Sequence, residues 1–215
     1  MSKTIKSMNE YREAISRNQE SQREAFEYAL DTRKFEIDLY WRRATYFWAL
    51  IAAAFGAFFV LSSSKNLGPF LPFVAGCIGL VLSVGWFLVN RGSKYWQTNW
   101  ERHVDCLEDQ IVGPLYKTTI SKEEFDFLSP IDGYPYSVSK VNQLISLFVV
   151  CIWLALIAST ALTCFANVDA VKWGVVLVSI LTVGFTLALL GCALTGSQQN
   201  IRRVNFVQAE IGSSD

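Results

Sequence analysis

Four stretches of the chain carry no charged residue: Ala44–Ser64, Asn66–Asn90, Val141–Val168 and Trp173–Ile201. Each is long enough to cross a bilayer core, which takes about 20 apolar residues in a helix. Lipid offers backbone N–H and C=O groups no partner, so a crossing segment satisfies them internally as a helix. Core helices of a water-soluble protein usually keep a polar face, and no charge interrupts these stretches. The pattern predicts an all-α integral membrane protein. Its four transmembrane helices form two hairpins, with a long N-terminal cytoplasmic helix and a helical cytoplasmic middle segment. The expected parts are a juxtamembrane helix (1–43), a first hairpin (44–90), a cytoplasmic helical segment (91–140), a second hairpin (141–196) and a tail (197–215).

The charged segments have their own periodicity. Residues 1–43 contain neither Pro nor Gly, and apolar residues recur at Met8, Tyr11, Ile15, Phe26, Leu30, Ile37 and Trp41. Asn18, Gln22 and Arg33 complete the three–four spacing of one helix face. A single helix running into the first span is expected. In the middle segment, Trp96, Trp100, Val104, Leu107 and Ile111 form one apolar stripe at helical spacing. Gln97, Glu101, Arg102, Asp105, Glu108 and Asp109 take the remaining faces. Gly113-Pro114 stops the helix, because Pro cannot continue it and disfavours helix in its predecessor. Ser121–Glu124 has the form of a capping box opening a short helix, and Ser129–Ser137 is a turn-rich return to the membrane.

Basic residues set the orientation. Arg33, Lys34, Arg42 and Arg43 precede the first span, Arg91 and Lys94 follow the second, Lys140 precedes the third, and Arg202 and Arg203 follow the fourth. The two short connections, near Ser64–Gly68 and Asn167–Lys172, hold only Lys65 and Lys172 as bases. Both termini and the middle segment are therefore expected in the cytoplasm. Tyr40, Trp41, Tyr46, Trp48, Trp86 and Trp96 gather at the inner ends, and Trp173 marks an outer end. The first forty residues contain no apolar h-region, so no signal peptide is expected, and the first span serves as the insertion signal. The whole chain balances 19 Lys+Arg against 19 Asp+Glu, which argues against a basic nucleic-acid arm.

Candidate chemistry is sparse. His103 is the chain's one histidine, so a histidine-based metal site lacks a second ligand of its kind. Cys77, Cys106, Cys151, Cys164 and Cys192 show no C-x-x-C spacing; they read as polarizable packing residues rather than disulfide or zinc partners. No phosphate-binding glycine loop, nucleophile elbow or zincin motif occurs. The spans contain no Asp, Glu, Lys, Arg or His, the residues that mark proton relays and ion pathways. They do carry small residues at helical spacing: Ala49, Ala53 and Ala57; Ala75, Gly79 and Ser83; Ala155, Ser159 and Thr163; and Gly184, Ala188 and Cys192. Such rows let membrane helices approach closely, either within one subunit or between subunits.

The stretches "YALDTRKFEIDLYWRRATYFW" (Tyr28–Trp48) and "RGSKYWQTNWERHVDCLEDQIVGPLYKT" (Arg91–Thr118) resemble the bacterial RipA family of octameric membrane proteins. The resemblance implies a homo-octamer in the bacterial cytoplasmic membrane and brings no catalytic residue with it. The expectation is a non-enzymatic, multi-pass inner-membrane scaffold with a cytoplasmic helical collar, without a cofactor or metal. Its partners are copies of itself, membrane lipids and an unidentified cytoplasmic protein, with no nucleic acid. Trp96, Trp100, Val104, Leu107 and Ile111 are the expected collar packing residues. Ala75, Gly79, Ser83, Gly184 and Ala188 are the expected bilayer contacts. The alternative is a gated channel or membrane-perturbing effector in stress or phage defence, which bilayer conductance discriminates. A surface-acting enzyme has no residue constellation in its favour, and a co-purifying ligand would revive it.

Overall fold

The structure, a computed structural model, describes residues 9–11, 18–64, 66–118, 136–167 and 169–195. Every regular element among these is helical: α1 (Gln19–Ser63), α2 (Phe70–Glu108), α3 (Val138–Asn167) and α4 (Asp169–Thr195). All four are long and apolar enough to cross a membrane. Residues 9–11 form a separate helical turn.

The long N-terminal helix does run unbroken into the first apolar stretch, but it starts later than the periodicity suggests. Asn18 is its cap. Asn18 Oδ1 accepts from the Ser21 N–H at 2.8 Å, and Ser21 Oγ accepts from the Asn18 N–H at 3.3 Å. This reciprocal pair satisfies two donors that a helix start leaves open. Asn18 therefore begins a helix rather than continuing one. From there α1 has no proline and a single glycine, Gly56, so nothing breaks it. Hydroxyls along the helices turn back on their own backbone: Thr45 Oγ1 donates to the Trp41 carbonyl at 2.9 Å, Ser63 Oγ to Phe59 at 2.8 Å and Thr182 Oγ1 to Val178 at 2.8 Å. Bonds of this kind let Ser and Thr sit in apolar helices with no outside partner.

Contacts divide the chain into two compact units. The described residues of the first are 9–11, 18–37 and 96–118. Its core joins Tyr11, Phe26 and Ala29 to Val104, Cys106 and Leu107, with Ala25, Leu30, Trp100 and Ile111 packed around it. Each large side chain buried in this way contributes about 1.5–3 kcal/mol.

The second unit comprises 38–95 and 133–196. Within it α1 and α2 run antiparallel: Arg43 meets Ser93, Trp48 meets Trp86, and Phe58 lies against Gly76. Buried positions recur at three–four spacing on both helices, at Tyr40, Ala44, Ile51, Ala54 and Phe58 on α1 and at Ser83, Trp86, Asn90 and Ser93 on α2. A 3.5-residue repeat is the spacing that keeps two long helices in register. One core cluster brings α3 onto this pair through Trp153, which packs with Ala54, Phe58 and Ala75. Another joins Phe73 and Cys77 of α2 to Cys164 of α3 and Val175 of α4.

Two details of the sequence reading change. Trp41 was the expected apolar-face residue, yet Tyr40 is buried and Trp41 is exposed. Gln97 was placed away from the packing stripe, yet it is 5 % exposed while Trp96 is 39 % exposed. On α1, Tyr40 turns inward to meet Asn142; on α2 the cause is polarity along the seam. The buried α2 seam steps through Asn90, Ser93 and Gln97, polar residues that hydrophobicity does not flag. The expected capping box at Ser121–Glu124 lies outside the described residues, as does the Ser129–Ser137 return except for Tyr136 and Ser137.

Candidate functional site

The end of α2 is built around Glu108. Its backbone carbonyl accepts N–H groups from Ile111 and Val112 at 2.9 Å and from Gly113 at 3.1 Å. Gly113 has φ +77°, a left-handed conformation that glycine adopts without steric cost. The helix thus ends at Glu108, five residues before the expected Gly113-Pro114 stop, and Ile111 packs on the core from a turn. The Glu108 side chain is 0 % exposed. Its Oε2 accepts the Tyr116 N–H at 2.7 Å, and Lys117 Nζ lies 4.0 Å from Oε1. Lys117 also bonds Asp109 at 2.7 Å. The acids of the stripe's polar side are therefore used to fasten the turn. Burial raises the Asp105 carboxyl above its usual range, and the neighbouring Glu108 adds to that.

His103 stands between two rings. Its ring centroid is 5.1 Å from that of Trp100 and 5.7 Å from that of Tyr11, and the Tyr11 hydroxyl is hydrogen-bonded to Nδ1. Burial lowers the imidazole pKa and raises that of the Tyr11 phenol, with Cys106 raising it further. Both shifts favour the neutral form. Among the described residues no three His, Cys, Asp or Glu side chains are placed to hold a metal. This is a packed aromatic cluster that anchors residues 9–11.

An open groove of about 970 Å³ lies in the same unit. Phe26, Leu30, Ile111 and Val112 line it together with charged residues such as Arg23 and Glu27. Arg23 Nε pairs with Glu27 at 3.0 Å, so its charged wall is largely self-neutralised.

The expected collar residues separate in the structure. Val104 and Leu107 are core, and Trp100 and Ile111 pack against that core. Trp100 also meets Tyr28 edge-on, at 6.2 Å between centroids. Trp96 faces outward. The expected bilayer residues separate too. Ala75 belongs to the Trp153 cluster, and Ser83 is fully buried with Oγ donating to the Gly79 carbonyl at 2.8 Å. A Cβ on Gly79 would stand 2.4 Å from the Trp153 ring, whereas one on Gly184 would meet nothing within 4 Å. Ala188 is exposed like Gly184.

Sequence reasoning missed a polar layer at the charged end of the spans. Asn142 Nδ2 donates to Tyr40 Oη at 2.5 Å and lies 3.3 Å from Asn90 Oδ1. Arg43 Nη1 donates to Ser93 Oγ at 3.1 Å. A polar residue inside the 3.5-residue repeat of a membrane helix was the available signal.

Against known proteins, the model of the octameric membrane protein family (8xMP) matches residues 23–163. No curated protein and no solved structure matches the chain.

Proposed function

We propose, from the premise that the chain belongs to the octameric membrane protein family, that it is a non-enzymatic structural oligomer. Eight copies form a scaffold in the bacterial cytoplasmic membrane, as the RipA resemblance of Tyr28–Trp48 and Arg91–Thr118 implies. The four spans form two hairpins with both termini inside. The charged halves of α1 and α2, with the turn around Glu108, form a helical collar in the cytoplasm. The excess of Arg and Lys at one end of the spans supports this orientation.

The observation that carries the reading is the division of labour along α1. One unbroken helix is charged over its first half, where Phe26 and Ala29 enter a core with Val104 and Leu107. It is free of charge from Ala44 onward. A helix built in this way carries a water-facing packing segment and a membrane span on one stretch of chain. A catalytic centre needs an acid, base or nucleophile held against an open site, and the titratable groups near His103 and Glu108 are engaged in packing and capping instead.

Two measurements test the proposal. Mass determination of the purified protein in detergent is expected to return eight subunits, and a monomer would overturn the scaffold. In a cysteine-free background, single cysteines at Asn66 and Asp169 are expected to react with an impermeant thiol reagent from outside intact cells, and one at Thr119 is not. Labelling of Thr119 alone reverses the orientation.

A further inference from the structure

We propose that Arg43, Asn90 and Ser93 form a binding site for the phosphate of an anionic phospholipid. Tyr40 and Asn142 complete its floor. The site lies where the charge-free stretches end: α1 loses its charges after Arg43, α2 regains them at Arg91, and α3 loses them after Lys140. It rests on reading these helices as spans, and not on subunit number.

The hydrogen-bond inventory carries the argument. Asn142 spends its amide N–H groups on Tyr40 Oη and Asn90 Oδ1. Asn90 is 1 % exposed, and its own Nδ2 has no partner among the described residues. One turn away on the same helix, the buried Trp86 Nε1 is also without a partner. Arg43, half-buried, has five N–H donors; among the described residues one bond, to Ser93 Oγ, is recorded for it and no carboxylate. Donors in this layer therefore outnumber the acceptors left to meet them. Buried polar groups in native proteins are almost always satisfied, and an anion held at this layer would satisfy the surplus donors.

Charge supports the same conclusion. Segment 38–95 contains one acid, Asp38, whose carboxylate is taken by Arg42 at 2.9 Å. At the same end of the spans stand Arg42, Arg43, Arg91, Lys94 and Lys140. The Arg91 guanidinium lies 5.7 Å from the Phe87 ring. Basic groups beside spans attract anionic headgroups, and a guanidinium matches two phosphate oxygens at once. Exposed Trp41, Tyr46 and Trp48 on α1 flank the site, and such rings settle at headgroup depth. These neighbours favour a lipid phosphate over a free one.

The test is native mass spectrometry of the full chain, released from bilayers holding phosphatidylglycerol and phosphatidylcholine in equal amounts. Retained phosphatidylglycerol is expected to exceed phosphatidylcholine by about fivefold, the preference that one basic residue confers near a membrane surface. Arg43→Gln is expected to abolish the preference. Arg42→Gln removes the same charge from an exposed, ion-paired neighbour and is expected to leave it. Ser93→Ala, which removes the hydroxyl that holds Arg43 without changing any charge, is expected to lower it; this variant stands in if Arg43→Gln does not assemble. Equal loss in both arginine variants, or no loss in Arg43→Gln and Ser93→Ala, overturns the site. Displacement of the lipid by millimolar inorganic phosphate overturns the lipid assignment. The same spectra count subunits. A lipid preference on an assembly of another size therefore sinks only the octamer, and an octamer with no preference sinks only this site.

Discussion

The small-residue rows of α2 and α4 are the same signal in sequence and opposite outcomes in structure. Ala75, Gly79 and Ser83 are all buried, and the missing Gly79 side chain is the space that the Trp153 indole occupies. Gly184 and Ala188 face open space. The wider surroundings agree: 44 % of the apolar window of α2 is buried, against 6 % for that of α4. Small residues show where a helix can be approached, but not what approaches it. The deciding partner is a large side chain on another helix. For α2 it is Trp153, which also stacks on Phe55 at 4.1 Å between centroids and meets Phe58 edge-on at 5.9 Å. The α2 row is consumed inside the chain, while the α4 row stays available to lipid or to a neighbouring subunit.

The strongest way to break this contrast is to fill both rows. Gly79→Leu puts a branched side chain where the Trp153 ring lies 2.4 Å from an ideal Cβ. Overpacking of this kind costs about 3 kcal/mol or more, so we expect loss of the folded chain, seen as aggregation in size-exclusion chromatography and a lowered melting temperature. Gly184→Leu meets nothing and is expected to leave the melting temperature of the subunit unchanged. If the α4 row meets another copy of the chain, Gly184→Leu lowers the assembly mass all the same. Equal thermal damage from both substitutions would erase the distinction between the rows. Trp153→Ala sharpens it from the other side. Truncating a buried aromatic costs about 3–5 kcal/mol, and Gly79→Ala is expected to be better tolerated in that background than alone.

A second, smaller contrast lies between Trp96 and Trp100. Trp100 packs on the Val104 and Leu107 core and contacts Tyr28 and His103. Trp100→Ala is therefore expected to destabilise the chain by about 2–3 kcal/mol, below the full cost of a buried aromatic because the ring is only partly covered. Trp96→Ala is expected to fall within about 0.5 kcal/mol, as exposed substitutions do, unless a neighbouring subunit covers that ring. A chemical-melt comparison of the two variants, read by fluorescence, checks both expectations.

These contrasts also mark what the sequence made legible. Four charge-free stretches were enough to locate four long apolar helices, because lipid imposes one solution on the backbone. The stripe through Val104 and Leu107 was legible because both residues are apolar and lie on the inner seam. The same logic failed one turn earlier. It favoured Trp96 because tryptophan is large and apolar, whereas the seam at that level passes through Gln97, Ser93 and Asn90. Pairing of Asn142 with Tyr40 and Asn90 depends on a third helix arriving at that height. Periodicity within one segment carries no information about such an arrival. Trp153 against Gly79 was hidden for the same reason: the partners lie on different helices.

The smallest effect we expect concerns pH, and it separates the aromatic cluster from the rest of its unit. Burial between Tyr11 and Trp100 lowers the His103 pKa. The folded state therefore resists a proton that the unfolded chain accepts near its ordinary value of about 6.5. Wherever the unfolded chain binds more protons, stability rises with pH. The His103 contribution is thus fully present above about 6.5 and declines as pH falls from there to the depressed folded value. Asp105 acts in the opposite sense and at lower pH. Its raised pKa costs stability when the group is charged, and protonation relieves that cost. The two effects are separated by substituting one group at a time. His103→Gln cannot titrate, and it is expected to flatten the decline in stability that begins as pH falls below about 6.5, while leaving the Asp105 limb in place. Urea melts followed by tryptophan fluorescence across this range measure the difference between parent and variant. A parent profile as flat as that of His103→Gln would mean that the imidazole is hydrated in the folded protein, and that the Tyr11 contact does not hold it neutral.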